Sequence, residues 1–210
     1  MARSARIVAP GYPHYVAQEA REGVDLFPSD EARRHYLDRL AEACAACKVE
    51  IMAHALLGSS VHLLLVPRTA GGLGDALRRA HSAHSRRVLG DSGASAWRDR
   101  FRSCPLDKSL APAAARHVER LAVEHGLART PGAYRWSSAH ARAGRGKVPF
   151  LAPFPGMESI RDYGAFLREK PDPGFARLLE AAASRGHALG PRAFLARLEK
   201  KLGRKASGGG

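Results

Sequence analysis

The 210-residue sequence predicts an α+β fold followed by a helical C-terminal extension. Two short apolar runs, joined by the turn Leu57-Gly58-Ser59, indicate neighbouring strands, because apolar runs bounded by Gly and Pro are more often buried strands than helices. Segments of helical period lie on both sides of this pair. The C-terminal extension has three further helical segments, at 159–169, 173–185 and 191–202. The length suits one sizeable core with an appendage and is too short for two large domains.

The first elements along the chain are a strand and a helix. Residues 5–16 read as a strand that turn residues interrupt. The helix covers residues 31–47, and Ser29 or Asp30 is placed to cap its N-terminus. Apolar residues recur in it at helical spacing and predict a packing face made of Tyr36, Leu37, Leu40, Ala43, Cys44 and Cys47.

The central strand pair runs from Val49 to Val66, and its second strand is almost wholly apolar apart from His62. A lone histidine on such a strand is usually a hydrogen-bonded core residue. The elements that follow are a helix at about 75–89, a last strand at 101–106 and a helix at about 111–124 that Gly126 ends. The Gly- and Pro-rich stretch 144–155 marks a boundary before the C-terminal helices.

The formal net charge of +14 predicts a polyanionic partner, and nucleic acid is the usual one. A membrane surface is the competing polyanion, and an Arg-rich solvated face is the alternative without a partner. No window approaches the ~20 apolar residues needed to span a bilayer. The N-terminus has no apolar stretch long enough for a secretory signal. We therefore expect a cytoplasmic protein that does not enter membranes.

The three cysteines predict neither a zinc site nor a redox motif. Cys44 and Cys47 form a C-x-x-C inside the predicted helix, and no second Cys or His pair lies at zinc-finger spacing. Cys104 stands alone. We expect all three to be reduced.

The turn and second strand, L-G-S-S-V-H-L-L-L, resemble the M-P-N-H-V-H-L-L-L run of the REP-associated tyrosine transposases. In that family two histidines, two residues apart on one strand, hold a divalent metal ion that polarises the scissile phosphate while a tyrosine attacks it. His62 matches the second histidine, whereas Ser60 stands at the first. The resemblance therefore implies that His62 binds metal weakly or not at all.

The helix at 75–89 carries R-R-A-H-S-A-H, which is similar to the R-R-L-H-T-R-Y of the same family. The match places His84 where the nucleophilic tyrosine belongs, and no tyrosine occurs between Tyr36 and Tyr134. We expect Ser60, His62 and His84 to be degenerate catalytic positions without activity. A histidine nucleophile at His84, near His62, is the alternative.

The resemblance to this family covers essentially all of residues 5 to 205. Matching runs include S-G-A-S-A-W-R-D-R-F-R-S, C-P-L-D, and P-G-A-Y-R-W-S-S beside the family's D-Y-x-W-S-S. His117-Val118-Glu119 matches a Tyr-Val-Glu run, while the family's Arg-Gly-Asn after the first strand appears here as Glu19-Ala20-Arg21. Tyr134 and Trp136 of the P-G-A-Y-R-W-S-S run have two interpretations. As structural residues they would close the core, and as functional residues they would stack on bases.

The resemblance implies a ferredoxin-like antiparallel sheet with helices on one face. We expect a transposase-like α+β domain at 1–146, a helical extension at 147–205 and a disordered tail at 206–210.

The implied function is DNA binding by a domesticated transposase that recognises hairpin or single-stranded DNA as a monomer or homodimer. The expected nucleic-acid-binding residues are Arg78, Arg79, Arg86, Arg87, Arg100 and Arg102. No cofactor is expected; an active enzyme would use Mg²⁺ or Mn²⁺. The alternatives are an active metal-dependent transposase or nickase with an unorthodox site, and an RNA- or protein-binding module.

Overall fold

A computed structural model describes residues 6–203 and 205–206 of the chain. Four strands lie within these residues: β1 (His14–Glu19), β2 (Val49–Leu56), β3 (Ser60–Pro67) and β4 (Arg102–Pro105). The α-helices in the same part of the chain are α1 (Asp30–Ala46), α2 (Gly72–Leu89), α3 (Ala111–Glu124), α4 (Ser138–Arg142), α5 (Tyr163–Arg168), α6 (Pro173–Arg185) and α7 (Arg192–Leu202). The fold is α+β, as the sequence predicts.

The four strands form one antiparallel sheet in the order β2-β3-β1-β4. With α1 between β1 and β2, and α2 between β3 and β4, this order is the ferredoxin-like arrangement. The first strand begins later than predicted, at His14. Residues 9–12 turn instead, with Gly11 at φ 81° and the Tyr12 amide donating to the Ala9 carbonyl. A strand cannot run through that turn.

Both faces of the sheet are covered by helices. Alternate residues of β3 point to opposite faces, so Val61, Leu63 and Leu65 pack with the apolar residues of α1 and α2. Leu64 and Val66 pack on the other side, with α3 and α6. The expectation of helices on one face holds for α1 and α2 of the ferredoxin-like core. The later helices cover the second face, which explains why β3 reads as a continuous apolar run.

The C-terminal helices share the core of the sheet. Leu179 and Ala183 of α6 belong to the cluster that contains Leu64 of β3, and so does Phe154 from the segment before α5. Ala206 is buried as well, and its carbonyl accepts a hydrogen bond from the Ala188 amide. Of the tail predicted at 206–210, only Ala206 lies within the described residues.

Among the helices in the described part of the chain, none has both the length and the apolar content to cross a bilayer.

Candidate nucleic-acid interface

His62 lies on the face of β3 that packs against α3 and α6, and only 7% of it is exposed. Its Nδ1 atom is 2.8 Å from the Tyr15 hydroxyl, and its Nε2 atom is 3.2 Å from Ser60 Oγ. Burial lowers the pKa of His62 to about 4. The imidazole is therefore neutral at physiological pH, and both of its nitrogens have hydrogen-bond partners.

Helix α6 places a carboxylate beside His62. The Tyr15 hydroxyl donates a hydrogen bond to Glu180, and His117 Nε2 of α3 lies 3.6 Å from the same carboxylate oxygen. Burial alone would raise the pKa of Glu180, but its contacts with His117 and Tyr15 outweigh that effect and lower the pKa to about 2. Burial and the nearby Glu180 raise the pKa of Tyr15 well above its ordinary value, so its hydroxyl stays protonated. Tyr15, His62, His117 and Glu180 are called the Tyr15 cluster below.

His117 enters the Tyr15 cluster from α3. The Tyr15 and His117 rings meet edge to face with centroids 5.6 Å apart. In the sequence His117 stands where the resembled family has the Tyr of Tyr-Val-Glu. This match in the sequence indicates that His117, rather than a residue of α2, faces the His62 side of the sheet.

His84 does not lie near His62, so that expectation is wrong. Helix α2 packs on the opposite face of the sheet, and His84 is fully buried there between α2 and α1. Its Nε2–H donates to the Leu26 carbonyl at 2.8 Å, and its ring contacts Tyr36 and Trp97. Burial lowers the pKa of His84 to about 4. Its place in the apolar stripe of α2 makes it a core residue.

The residues around His62 do not fit a catalytic Mg²⁺ or Mn²⁺ ion. These ions favour several carboxylate and water oxygens, whereas the site offers an engaged imidazole and a serine hydroxyl. The nearby Glu180 carboxylate is already hydrogen-bonded to Tyr15. Within residues 6–203 and 205–206, no group of three or more His, Cys, Asp or Glu side chains is arranged to hold a metal.

A cationic cleft lies between α2 and the loop at 90–101, with a volume of about 630 Å³. Arg78, Ser82 and Arg86 line it from α2, where a spacing of four residues keeps them close to one face. A second cleft of about 860 Å³ lies beside it, towards α6. The two clefts share the lining residues Arg6, Gln18, Asp99, Arg100 and Phe101, and together they are called the arginine groove below.

The six predicted DNA-binding arginines do not all lie in this groove. Arg78, Arg86 and Arg100 line the first cleft, and Arg100 and Arg102 line the second. Arg79 is exposed on α2 but lines neither cleft. Arg87 points towards α1, with its guanidinium 3.7 Å from Glu31.

Glu19 neutralises part of the groove. Its carboxylate lies 2.7 Å from Arg102 and 3.3 Å from Arg98. The residue that replaces an arginine of the resembled family thus pairs with two neighbouring arginines. Arg102 is consequently less available to phosphate than Arg86.

The Tyr-x-Trp-Ser-Ser run is a core motif. The Tyr134 hydroxyl donates to the Leu56 carbonyl, and the Leu56 amide donates to the Trp136 carbonyl. Trp136 is 7% exposed, with the guanidinium of Arg135 4.9 Å from its ring centroid. These contacts attach the segment to β2 and favour the structural interpretation over base stacking.

Ser138 continues this motif into a buried ionic network. Its hydroxyl donates to Glu119 of α3, and the Tyr163 hydroxyl donates to the other oxygen of the same carboxylate, both at 2.6 Å. The Arg142 guanidinium lies 3.3 Å from Glu119. Glu119 is wholly buried, so the network joins α3, α4 and α5 inside the core.

One solved structure among the comparisons supports this fold. The structure is similar to a REP-associated tyrosine transposase solved bound to a REP hairpin, with a TM-score of 0.58, 16% identity, and coverage of 72% of this chain and 91% of that chain. A candidate transposase from Deinococcus radiodurans matches with a TM-score of 0.36, 17% identity, and coverage of 48% and 82%. No protein-family model and no curated protein matches the sequence. The fold that the resemblance implied is confirmed.

Proposed function

We propose that this chain, which has the fold of a REP-associated tyrosine transposase, binds hairpin or single-stranded DNA through the arginine groove. In this proposal the protein is a domesticated transposase that no longer cleaves DNA, because the metal site around His62 is lost. The observation that carries it is the groove itself, where Arg78, Arg86 and Arg100 line one continuous surface.

The charge distribution supports a nucleic-acid partner. The chain has an excess of 14 positive charges, and the groove concentrates guanidinium groups, which bind phosphate oxygens with good geometry. The similar solved structure is bound to a REP hairpin, which supports DNA as the polyanion. Phosphate contacts position the strand in such interfaces.

The Tyr15 cluster supports the loss of cleavage. Tyr15 is fully buried, and Glu180 places a carboxylate beside His62, where a scissile phosphate would have to approach. Two anionic groups repel each other at close range. Ser60 also leaves the site without the paired histidines that hold the metal in the resembled family.

A binding comparison tests the proposal. Fluorescence anisotropy would measure the affinity for a DNA hairpin with a single-stranded extension, the matching blunt duplex and an RNA hairpin of the same sequence. We expect tightest binding to the DNA hairpin, with an affinity that falls steeply as salt rises. Equal affinity for the duplex would contradict hairpin recognition. Preference for the RNA hairpin would assign the groove to RNA, and absence of binding to all three would favour a protein-binding module.

A further inference from the structure

The first cleft of the arginine groove has the size of a small-molecule site. Its volume of about 630 Å³ lies within the range of roughly 300–1,000 Å³ that is common for ligand pockets. Its lining combines the aromatic residues Trp97 and Phe101 with polar and cationic side chains. A surface that binds phosphate alone needs no aromatic lining.

Hydrogen bonds hold the two walls of the cleft together. The Ala96 amide donates to Ser85 Oγ at 3.0 Å, and Trp97 Nε1–H donates to the His81 carbonyl at 3.0 Å. The Trp97 ring also stacks on the His81 ring, with centroids 4.1 Å apart. These contacts attach the loop at 90–101 to α2, so the cleft is pre-formed and a ligand need not order it.

A planar stacking surface lies at the same cleft. The Arg6 guanidinium lies over the Phe101 ring, 3.5 Å from its centroid, and its Nε and Nη2 atoms donate to the Phe101 carbonyl. Unpaired bases stack on arginine planes and on aromatic rings. The Arg6–Phe101 pair therefore offers a layer on which a base can stack.

Polar groups beside this surface suit a base edge. Gln18 lines the cleft, and its amide nitrogen donates to the Arg98 carbonyl at 2.6 Å, which fixes the carbonyl oxygen as its acceptor group. An acceptor held in this way can receive an N–H from a base. Burial, and to a smaller extent the charge of Arg100, lowers the pKa of Arg6 to about 10, because both disfavour the charged guanidinium.

We propose that the cleft binds one unpaired nucleotide of the DNA strand, with its base stacked on the Arg6–Phe101 pair and its flanking phosphates on Arg78 and Arg86. This inference rests on the proposed DNA binding and adds a specific pocket to it. The pocket would favour an unpaired position, since a base inside a duplex must first unpair and unstack, which costs free energy.

Photocrosslinking tests the placement directly. The probe is a DNA hairpin with a single-stranded thymidine extension, in which 5-iododeoxyuridine replaces one thymidine at a time. We expect one position of the extension to crosslink to the segment 97–101, identified by mass spectrometry of the crosslinked peptide. Because the wild-type protein is used, the result does not depend on a variant that must fold.

A matched pair of variants tests the pocket by filling it. Ser82 is exposed and lines the cleft, so Ser82→Trp would occupy it, whereas Arg87→Trp adds the same ring on the side of α2 that faces α1. We expect Ser82→Trp to lose the crosslink and at least about tenfold of the affinity that the extension adds over a blunt hairpin. Arg87→Trp should keep both.

The outcomes separate this inference from the proposed function. If the hairpin binds but its extension adds no affinity, or crosslinks only outside 97–101, the nucleotide pocket is wrong and DNA binding stands. If no DNA binds, calorimetry with thymidine monophosphate tests whether the cleft binds a free nucleotide instead of a DNA strand. Binding that Ser82→Trp removes would then assign the cleft to a free nucleotide and overturn the strand proposal.

Discussion

The Tyr15 hydroxyl lies 2.8 Å from His62 Nδ1 and donates its one proton to Glu180. It must therefore accept from His62, which makes Nδ1 the protonated nitrogen of the neutral imidazole. The remaining lone pair, on Nε2, faces the Ser60 hydroxyl at 3.2 Å. Neither nitrogen is left for a metal ion.

The first prediction concerns that ion. Isothermal calorimetry should detect no tight binding of Mg²⁺ or Mn²⁺, because an ion would have to displace Ser60 and find further ligands. Micromolar affinity that His62→Ala abolishes would show that the site rearranges to supply them.

The second prediction concerns strand cleavage. Incubation with hairpin DNA and Mg²⁺ or Mn²⁺ should give no covalent protein–DNA adduct on denaturing gels, since the buried Tyr15 cluster admits no phosphate. His117→Ala and His84→Ala form the control pair, because only His117 lies on the His62 side of the sheet. An adduct lost in His117→Ala alone would establish a histidine nucleophile there.

The third prediction separates two neighbouring arginines. Arg86→Glu should weaken hairpin binding at least about tenfold, or ~1.4 kcal/mol, since it reverses a charge inside the groove. The slope of affinity against salt should also fall by roughly 0.7, the value for one phosphate contact on a single strand. Arg87→Glu, which lies near Glu31, should change both quantities less. Equal losses in the two folded variants would show that the groove does not direct binding.

The fourth prediction concerns acid stability. Burial lowers the pKa of five histidines to about 4 or about 3; they are His14, His54, His62, His81 and His84. Below pH 6.5 the unfolded chain takes up protons on these residues while the folded chain does not, so the free energy of unfolding falls on acidification. The free energy of unfolding should fall by on the order of 1 kcal/mol per pH unit for each histidine. The contributions of His14, His62 and His84 should level off near pH 4, and those of His54 and His81 near pH 3.

Urea unfolding at several pH values measures this slope. His84→Gln removes one titrating ring and should make the dependence of stability on pH shallower. An unchanged slope would mean that His84 titrates equally in the folded and unfolded chains.

The fifth prediction concerns the buried network around Glu119. Glu119→Ala should lower the free energy of unfolding by about 3–5 kcal/mol, because it leaves Arg142 buried without its carboxylate. Glu42→Ala removes an exposed partner of Arg39 and should cost less than about 1 kcal/mol. Similar losses in the two variants, measured by urea unfolding, would show that the network contributes no more than a surface pair.

Periodicity in the sequence predicts most of this fold. The apolar run of β3, the stripe of α1 and the Gly and Pro breaks are local patterns, and each gives an element close to its observed bounds. The first strand begins at His14, later than predicted, because Pro10 and Gly11 form a turn that interrupts the apolar segment.

The site is harder to predict because its contacts join distant residues. Tyr15 and Glu180 are 165 positions apart, and nothing local in α6 indicates that Glu180 faces β1. The motif match predicts a catalytic position for His84. In the structure His84 lies on the face of α2 that packs into the core, so it is buried. The pairing of Arg102 with Glu19 likewise depends on the register of β4 beside β1.

The central position of β1 has a consequence for how the chain is made. Translation produces β1 first, yet its neighbours in the sheet are β3 and β4, and the carboxylate that meets Tyr15 comes only with Glu180. During translation β1 therefore has no strand to pair with until β3 is made. The strands of the β2–β3 hairpin are adjacent in sequence and can pair as soon as both are made. A nascent chain halted after β4 would have a paired sheet with one face bare, and release of the last helices would complete its burial.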